Sequence, residues 1–214
     1  MNNLFTFGDS FTHGNGCLPH DDYAKNYKKN DDDLIWPVIL ANKLNMRLFN
    51  YGEGLFSNDK IFDMIMLHYD KIGVGDIVII QKSFSHRFDI PNLDDNALIT
   101  LSPAPLHLLQ LPFSKTEKKY TSAEIEHIKY MTVLFDGKQI KMRQDFRFNF
   151  FVRNFMDVKK VKKCVLWDIM DYTSRQKYDT ILDATDGKIN DLHWSYKGHK
   201  IFADIMYNKI YKFI

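Results

Sequence analysis

Cysteine is almost absent from this chain. Its 214 residues include two, Cys17 and Cys164. At most one disulfide can form, so a disulfide-stapled scaffold is excluded and a reduced, intracellular chain is expected. No apolar run approaches the roughly 18 residues of a membrane-spanning helix. The opening residues carry no basic leader followed by an apolar stretch, so a cytoplasmic location is expected. Charge of one sign is not in excess. Lys and Arg number 29 against 27 Asp and Glu, a net +2, which leaves no electrostatic footprint for nucleic acid. The lysines around 115–119 and 159–163 read as solvated faces. His13, His20, His68, His86, His107 and His127 are scattered, without HExxH or paired-cysteine spacing, and Asp21-Asp22 and Asp31-Asp32-Asp33 do not fit a calcium loop. The Gly8 to Gly14 stretch lacks the Lys-Ser/Thr of a phosphate cradle, and no dinucleotide fingerprint occurs. No metal and no cofactor are expected. Internal repeats and low-complexity tracts are also missing.

What is present fits one domain. Hydrophobic residues make up 45% of the chain, ample for a core at this length. Leu4 to Phe7 reads as a short strand. A polar loop follows, Leu18 to Asp33, whose last residue is placed to cap a helix over Leu34–Leu44, with Pro37 tolerated in its first turn. Leu48 to Tyr51 is a second strand. Ser57-Asn58-Asp59 caps a further helix bearing Ile61, Ile65 and Leu67. Ile77 to Ile80 is the clearest buried parallel strand. This βαβαβ order opens a doubly wound sheet. From Phe88 to about Thr121, Pro91, Pro103, Pro105 and Pro112 break the pattern, and a stretch of that length reads as an insertion. Helical character begins near Ser122. The phenylalanines from Phe146 to Phe155 read as a core-facing helix. Lys163 to Trp167 is a fourth strand, Ile181-Leu182 a short fifth element, and Ser195 to Phe213 a terminal helix with Phe202, Ile205, Met206, Ile210 and Tyr211 on one stripe.

Two stretches carry chemistry. Gly8-Asp9-Ser10 ends the first strand, which puts a serine at the carboxyl end of a sheet, where such folds build their sites. Asn190-Asp191-Leu192-His193-Trp194 precedes the terminal helix, and an acid two residues before a histidine can supply a base and its orienter. The N-terminal GDSFTHG and the C-terminal DLHWSYKGH resemble the first and last sequence blocks of the SGNH (GDSL-type) hydrolases, and they bracket nearly the whole chain. The resemblance implies Ser10 as nucleophile, His193 as general base and then acid, and Asp191 as the group that fixes the histidine tautomer. The superfamily's commonest spacing, Asp-x-x-His, would place Asn190 in the acid's position; some similar chains carry Asp-x-His-Trp. His199 is read as a packing or capping residue, with a fallback role as base.

The resemblance also implies an oxyanion hole made by the Ser10 N–H, a second-block glycine and a third-block asparagine. The second block matches loosely, so the donor is Gly54 or Leu55. In the third block this chain has Gln81-Lys82-Ser83-Phe84, and Ser83 stands where the asparagine should be. The chain resembles a divergent branch in which Ser or Thr takes that place and an arginine follows, here Arg87, which with Asp9 is a candidate substrate contact. Loss of one such donor costs about a hundredfold or more in rate.

The expectation is therefore a single α/β domain over 1–214: a three-layer sandwich of the SGNH or flavodoxin-like kind, with a short parallel sheet of 4–5 strands, helices on both faces, and an insertion at about 88–160. Its expected activity is serine-dependent ester hydrolysis through an acyl-enzyme, on a small-molecule or carbohydrate ester, first of all an O-acetylated sugar. An acyltransferase using the same triad and an inactive binding protein on this fold are the alternatives. The Asn-, Lys- and Ile-rich composition suggests an AT-rich genome, and a bacterial virus as source.

Overall fold

The computed structural model describes residues 2–14, 35–84, 87–91, 98–101, 137–169, 194 and 196–211. Four parallel strands form the main sheet: β1 (Asn3–Gly8), β2 (Arg47–Gly52), β3 (Ile77–Lys82) and β6 (Lys163–Asp168), in the order β2-β1-β3-β6. Leu4 pairs with Leu48 on one side and Ile77 on the other, and Ile77 pairs in turn with Lys163. Successive side chains point to opposite faces of a strand, so each strand feeds two cores. Leu4, Ile77, Ile79, Val165 and Trp167 pack with α2 (Trp36–Leu44) and α5 (Tyr196–Tyr211). Phe5, Phe7, Val78, Ile80 and Cys164 pack with α3 (Asn58–His68) and α4 (Gly137–Asp157). The result is a three-layer α/β sandwich. Between β1 and β2, neighbouring aromatics stack across the ladder, Phe5 on Phe49 at 4.9 Å and Phe7 on Tyr51 at 5.3 Å, which fixes the register of the edge strand.

The chain winds outward from β1 to β2, then crosses back to β3 on the other side of β1. In open sheets of this kind, ligands bind where the winding reverses, at the carboxyl ends of the two central strands. Here those ends are Gly8-Asp9-Ser10 and Gln81-Lys82-Ser83. A four-residue helix, α1 (Ser10–His13), leaves β1 directly.

Three expectations shift. The first helix starts at Trp36 with Ile35 as N-cap and no side-chain cap of its own; Asp33 lies outside the described residues. The orphan N–H of Trp36 is instead accepted by Nδ1 of His199 on α5, at 3.3 Å. The stretch read as irregular contains an antiparallel hairpin, β4 (Phe88–Pro91) with β5 (Leu98–Leu101). Finally, the range 88–160 includes α4, which belongs to the sandwich: Phe148, Phe151 and Phe155, spaced i, i+3 and i+7, are buried against the sheet, while Phe146 and Phe150 point outward. On α5 the buried stripe is His199, Phe202, Ala203, Met206 and Ile210, with Tyr211 exposed. The helix expected from Ser122 and the element at Ile181-Leu182 lie outside the described residues. None of the described helices is long and apolar enough to cross a membrane.

Phe148→Ala should lower stability by about 3–5 kcal/mol in urea denaturation, the usual cost of removing a fully buried aromatic ring; a loss under about 1 kcal/mol would contradict its place in the core. Cys164 is a free, buried thiol, and burial pushes its pKa up to about 12 against the opposing pull of Lys163. In a Cys17→Ser protein, iodoacetamide at about pH 8 should leave Cys164 unlabelled until denaturant is added, because only the thiolate reacts; rapid native-state labelling would contradict this burial.

Candidate active site

The turn after β1 is built by close contacts. A Cβ on Gly8 would stand 2.5 Å from Oε1 of Gln81 and closer still to Thr12 Oγ1, so the strand end can approach β3 only as glycine. Asp9 is the N-cap of α1, its Oδ1 accepting from the Phe11 N–H at 3.1 Å. Gly14 closes the turn in the left-handed region at φ 102°, its N–H bonded to the Ser10 carbonyl at 2.9 Å. Ser10, between these anchors, is 3% exposed.

Asp9 is fully buried, and its carboxylate is the hub of the site. Oδ1 accepts from the Phe11 N–H and from Nε2 of Gln81. Oδ2 accepts from the Ser83 hydroxyl at 2.7 Å and from Nη1 of Arg87 at 3.0 Å. Arg87 Nη1 also donates to Ser83 Oγ at 3.0 Å. The guanidinium lies over the Phe84 ring, 4.8 Å from its centroid. Burial lowers the Arg87 pKa, and Asp9 opposes that shift. The Nε of Arg87 is buried without a hydrogen-bond partner among the described residues.

Gln81 and Asn58 complete the network, and neither was singled out from the sequence. Oε1 of Gln81 accepts from the Asp9 N–H at 3.2 Å and the Thr12 hydroxyl at 2.5 Å. Asn58, at the start of α3, pairs with both backbone groups of Ser83: its Oδ1 accepts the Ser83 N–H at 2.8 Å and its Nδ2 donates to the Ser83 carbonyl at 3.1 Å. The same Nδ2 reaches Oε1 of Gln144 on α4 at 2.9 Å. A polar side chain ending the apolar run Ile77-Val78-Ile79-Ile80 was the available signal for Gln81. Its partner, 72 residues away, is beyond the reach of local pattern.

The second-block loop is anchored at Gly52. A Cβ there would meet the His13 nitrogen at 2.5 Å and the Thr12 carbonyl carbon at 2.7 Å, both backbone atoms. Nδ1 of His13 bonds the Gly52 carbonyl at 3.0 Å, and Asn50 bridges the Thr6 hydroxyl, the Gly52 N–H and the Thr12 carbonyl. Further on, the Gly54 N–H faces Oε1 of Glu53 at 3.3 Å. Leu55 adopts a left-handed φ of 65°, a conformation that strains a branched side chain. Ser57 caps α3 through the Lys60 N–H at 3.1 Å.

Asp191 and His193 lie outside the described residues. Trp194 does not: it is fully buried, with its ring edge-on to Phe11 at 5.1 Å. His199, also buried, lies edge-on to Trp194 at 5.7 Å and caps α2. Beside the network, Asn58, Lys82, Ser83, Lys141, Gln144, Asp145 and Asp168 line a small polar pocket. Lys82 Nζ sits 2.8 Å from Asp145 and 2.9 Å from Asp168. Burial would lower the Lys82 pKa, but hydrogen bonds to both carboxylates outweigh it and raise the value. Among the described residues, no group of three or more His, Cys, Asp or Glu could hold a metal ion.

No protein-family model matches this chain, and no curated protein matches it. Among solved structures, it is similar to a "putative lipolytic protein of G-D-S-L family" from Desulfitobacterium hafniense DCB-2, with 16% sequence identity, 97% of this chain and 99% of that chain covered, and a TM-score of 0.38.

Gly52→Ala should destabilise the protein by about 1–3 kcal/mol, as overpacking against fixed backbone does. Gly73→Ala, where an added Cβ meets nothing within 4 Å, should stay within about 0.5 kcal/mol. Equal melting temperatures for the two variants would contradict the close approach of β2 to α1.

Proposed function

We propose that this protein is a serine-dependent ester hydrolase that works through an acyl-enzyme on Ser10, with His193 as base and Asp191 as its orienter. One observation carries the reading. Trp194, the chain neighbour of His193, is buried against Phe11, the chain neighbour of Ser10. This contact ties the segment just after His193 to the Ser10 turn, which supports His193 as the base.

In the proposed reaction, Ser10 Oγ attacks the ester carbonyl carbon as its proton passes to His193. The tetrahedral oxyanion is held by the Ser10 N–H and by the N–H of Gly54 or Leu55, Gly54 serving only once it releases the Glu53 carboxylate. His193 then protonates the departing alcohol, and water, activated by the same histidine, releases the acid. The Ser83 hydroxyl donates to Asp9 in the resting site, so its part in the oxyanion hole requires it to turn away, with Arg87 left to compensate the buried carboxylate. Arg87 is the second candidate for the missing third donor and for orienting the substrate. Asp9, with both oxygens occupied, is proposed to act on Ser10 and Arg87 rather than on substrate.

An O-acetylated carbohydrate is the proposed substrate class. The small neighbouring pocket has a polar lining, in which Lys82 pairs with both Asp145 and Asp168, and such a lining suits hydroxyl groups better than an acyl chain.

A fluorophosphonate probe should add one adduct to the protein, located on Ser10, and acetate should be released from an acetylated oligosaccharide. Ser10→Ala should abolish the adduct and reduce turnover by at least about a thousandfold. Absence of an adduct on folded protein, or turnover surviving in Ser10→Ala, would overturn the proposal. Acetyl transfer to an added sugar, in place of acetate release, would identify a transferase.

A further inference from the structure

We propose that Gln81 is a positioning residue for Ser10: its amide locks the turn that carries the nucleophile, and the rate of acyl-enzyme formation depends on it. The proposal rests on the reading of Ser10 as nucleophile.

Gln81 is fully buried at the carboxyl end of β3, where an unpaired amide would cost a few kcal/mol. Among the described residues, its side-chain hydrogen bonds go to the turn. Oε1 takes the Asp9 N–H and the Thr12 hydroxyl; Nε2 donates to the Asp9 carboxylate. The amide thus grips the residue before Ser10 and the residue two after it. Its orientation is forced, because a flipped amide would set its NH2 group against the Asp9 N–H. Gly8 leaves the room: an added Cβ there would lie 2.8 Å from the Gln81 Cβ. On the far side of Asp9, the Ser83 hydroxyl and Arg87 fill the other oxygen. The turn is held from β3 on both flanks of the nucleophile. No other side chain bonds the Asp9 N–H or the Thr12 hydroxyl among the described residues.

A residue that only satisfied buried polar groups would affect stability and leave the rate per folded molecule unchanged. A positioning residue lowers the chemical step. Gln81→Leu should reduce kcat and the rate of fluorophosphonate labelling about a hundredfold, the cost of misplacing a reacting group by about 1 Å, with KM within about twofold. Thr12→Val, which removes one of the three bonds, should fall between parent and Gln81→Leu.

Gln81→Glu supplies a signature that stability alone does not produce. When protonated, the new carboxyl keeps one acceptor and one donor and can make the same three bonds; when ionised it repels Asp9. Burial and Asp9 both hold its pKa above the usual carboxylate range. The variant-to-parent activity ratio should therefore be highest at acid pH and fall as pH rises through that pKa, while circular dichroism stays constant. If the parent is labelled on Ser10 but folded Gln81→Leu is labelled at the parent rate, or if the Gln81→Glu ratio is flat with pH, the positioning role is overturned and the Ser10 reading stands. If the parent itself takes no label on Ser10, both fall. Should Gln81→Leu fail to fold, the pH ratio of Gln81→Glu decides.

Discussion

A carboxylate with no exposure to water must find its hydrogen bonds inside the protein. Burying an ionised group unpaired costs several kcal/mol, and removing one partner of a buried ion pair typically costs about 3–5 kcal/mol. Asp9 meets this demand with four donors: a backbone N–H of its own turn, an amide from β3, a hydroxyl just beyond β3 and the Arg87 guanidinium. Meeting it draws the end of β1, the end of β3 and the segment leading to β4 onto one point. The buried amides extend this. Asn58 binds the backbone of Ser83 as a neighbouring strand would, and Gln144 ties Asn58 to α4. Side chains from separate elements thus converge on the crevice, and the serine that follows Asp9 inherits their rigidity.

The sheet explains why this point is a candidate site. Both faces of β1 and β3 are covered by helices, so their carboxyl ends open onto the crevice between outward and returning windings. The aromatic core under α2 and α5 then ties the C-terminal segment to the same place. Trp194 packs against Phe11, Trp167 and Phe202, and His199 spends its Nδ1 on the N-terminus of α2. A histidine so engaged serves the scaffold; in the proposed reaction the base is His193.

Much of this was legible in the sequence. Leu4 to Phe7, Ile77 to Ile80 and Lys163 to Trp167 declared themselves as strands through apolar runs ended by turn residues, and the phenylalanines from Phe146 to Phe155 marked a core-facing helix, of which Phe148, Phe151 and Phe155 form the inner face. Helical and strand periods are local, and so were those successes. Reading failed where a long-range partner decides. The start of α2 depends on a cap donated from α5. The hairpin at β4 and β5 is hidden among prolines. Ser83 was read by its place in a motif, yet its hydroxyl points to Asp9; Gln81, unremarkable at the end of an apolar run, holds the turn. Asp191 and His193, a spaced pair beside a tryptophan, lie outside the described residues, and it is the tryptophan that the structure ties to the Ser10 turn.

The most direct measurement is a crystal structure of the protein after reaction with a small phosphonate ester. The account predicts phosphorus bonded to Ser10 Oγ, the phosphoryl oxygen within hydrogen-bond distance of the Ser10 N–H, the His193 ring beside the leaving-group position, and Gln81 still bonded to Asp9 and Thr12. Phosphorus attached elsewhere, or a Ser10 adduct with His193 turned away from it, would contradict it.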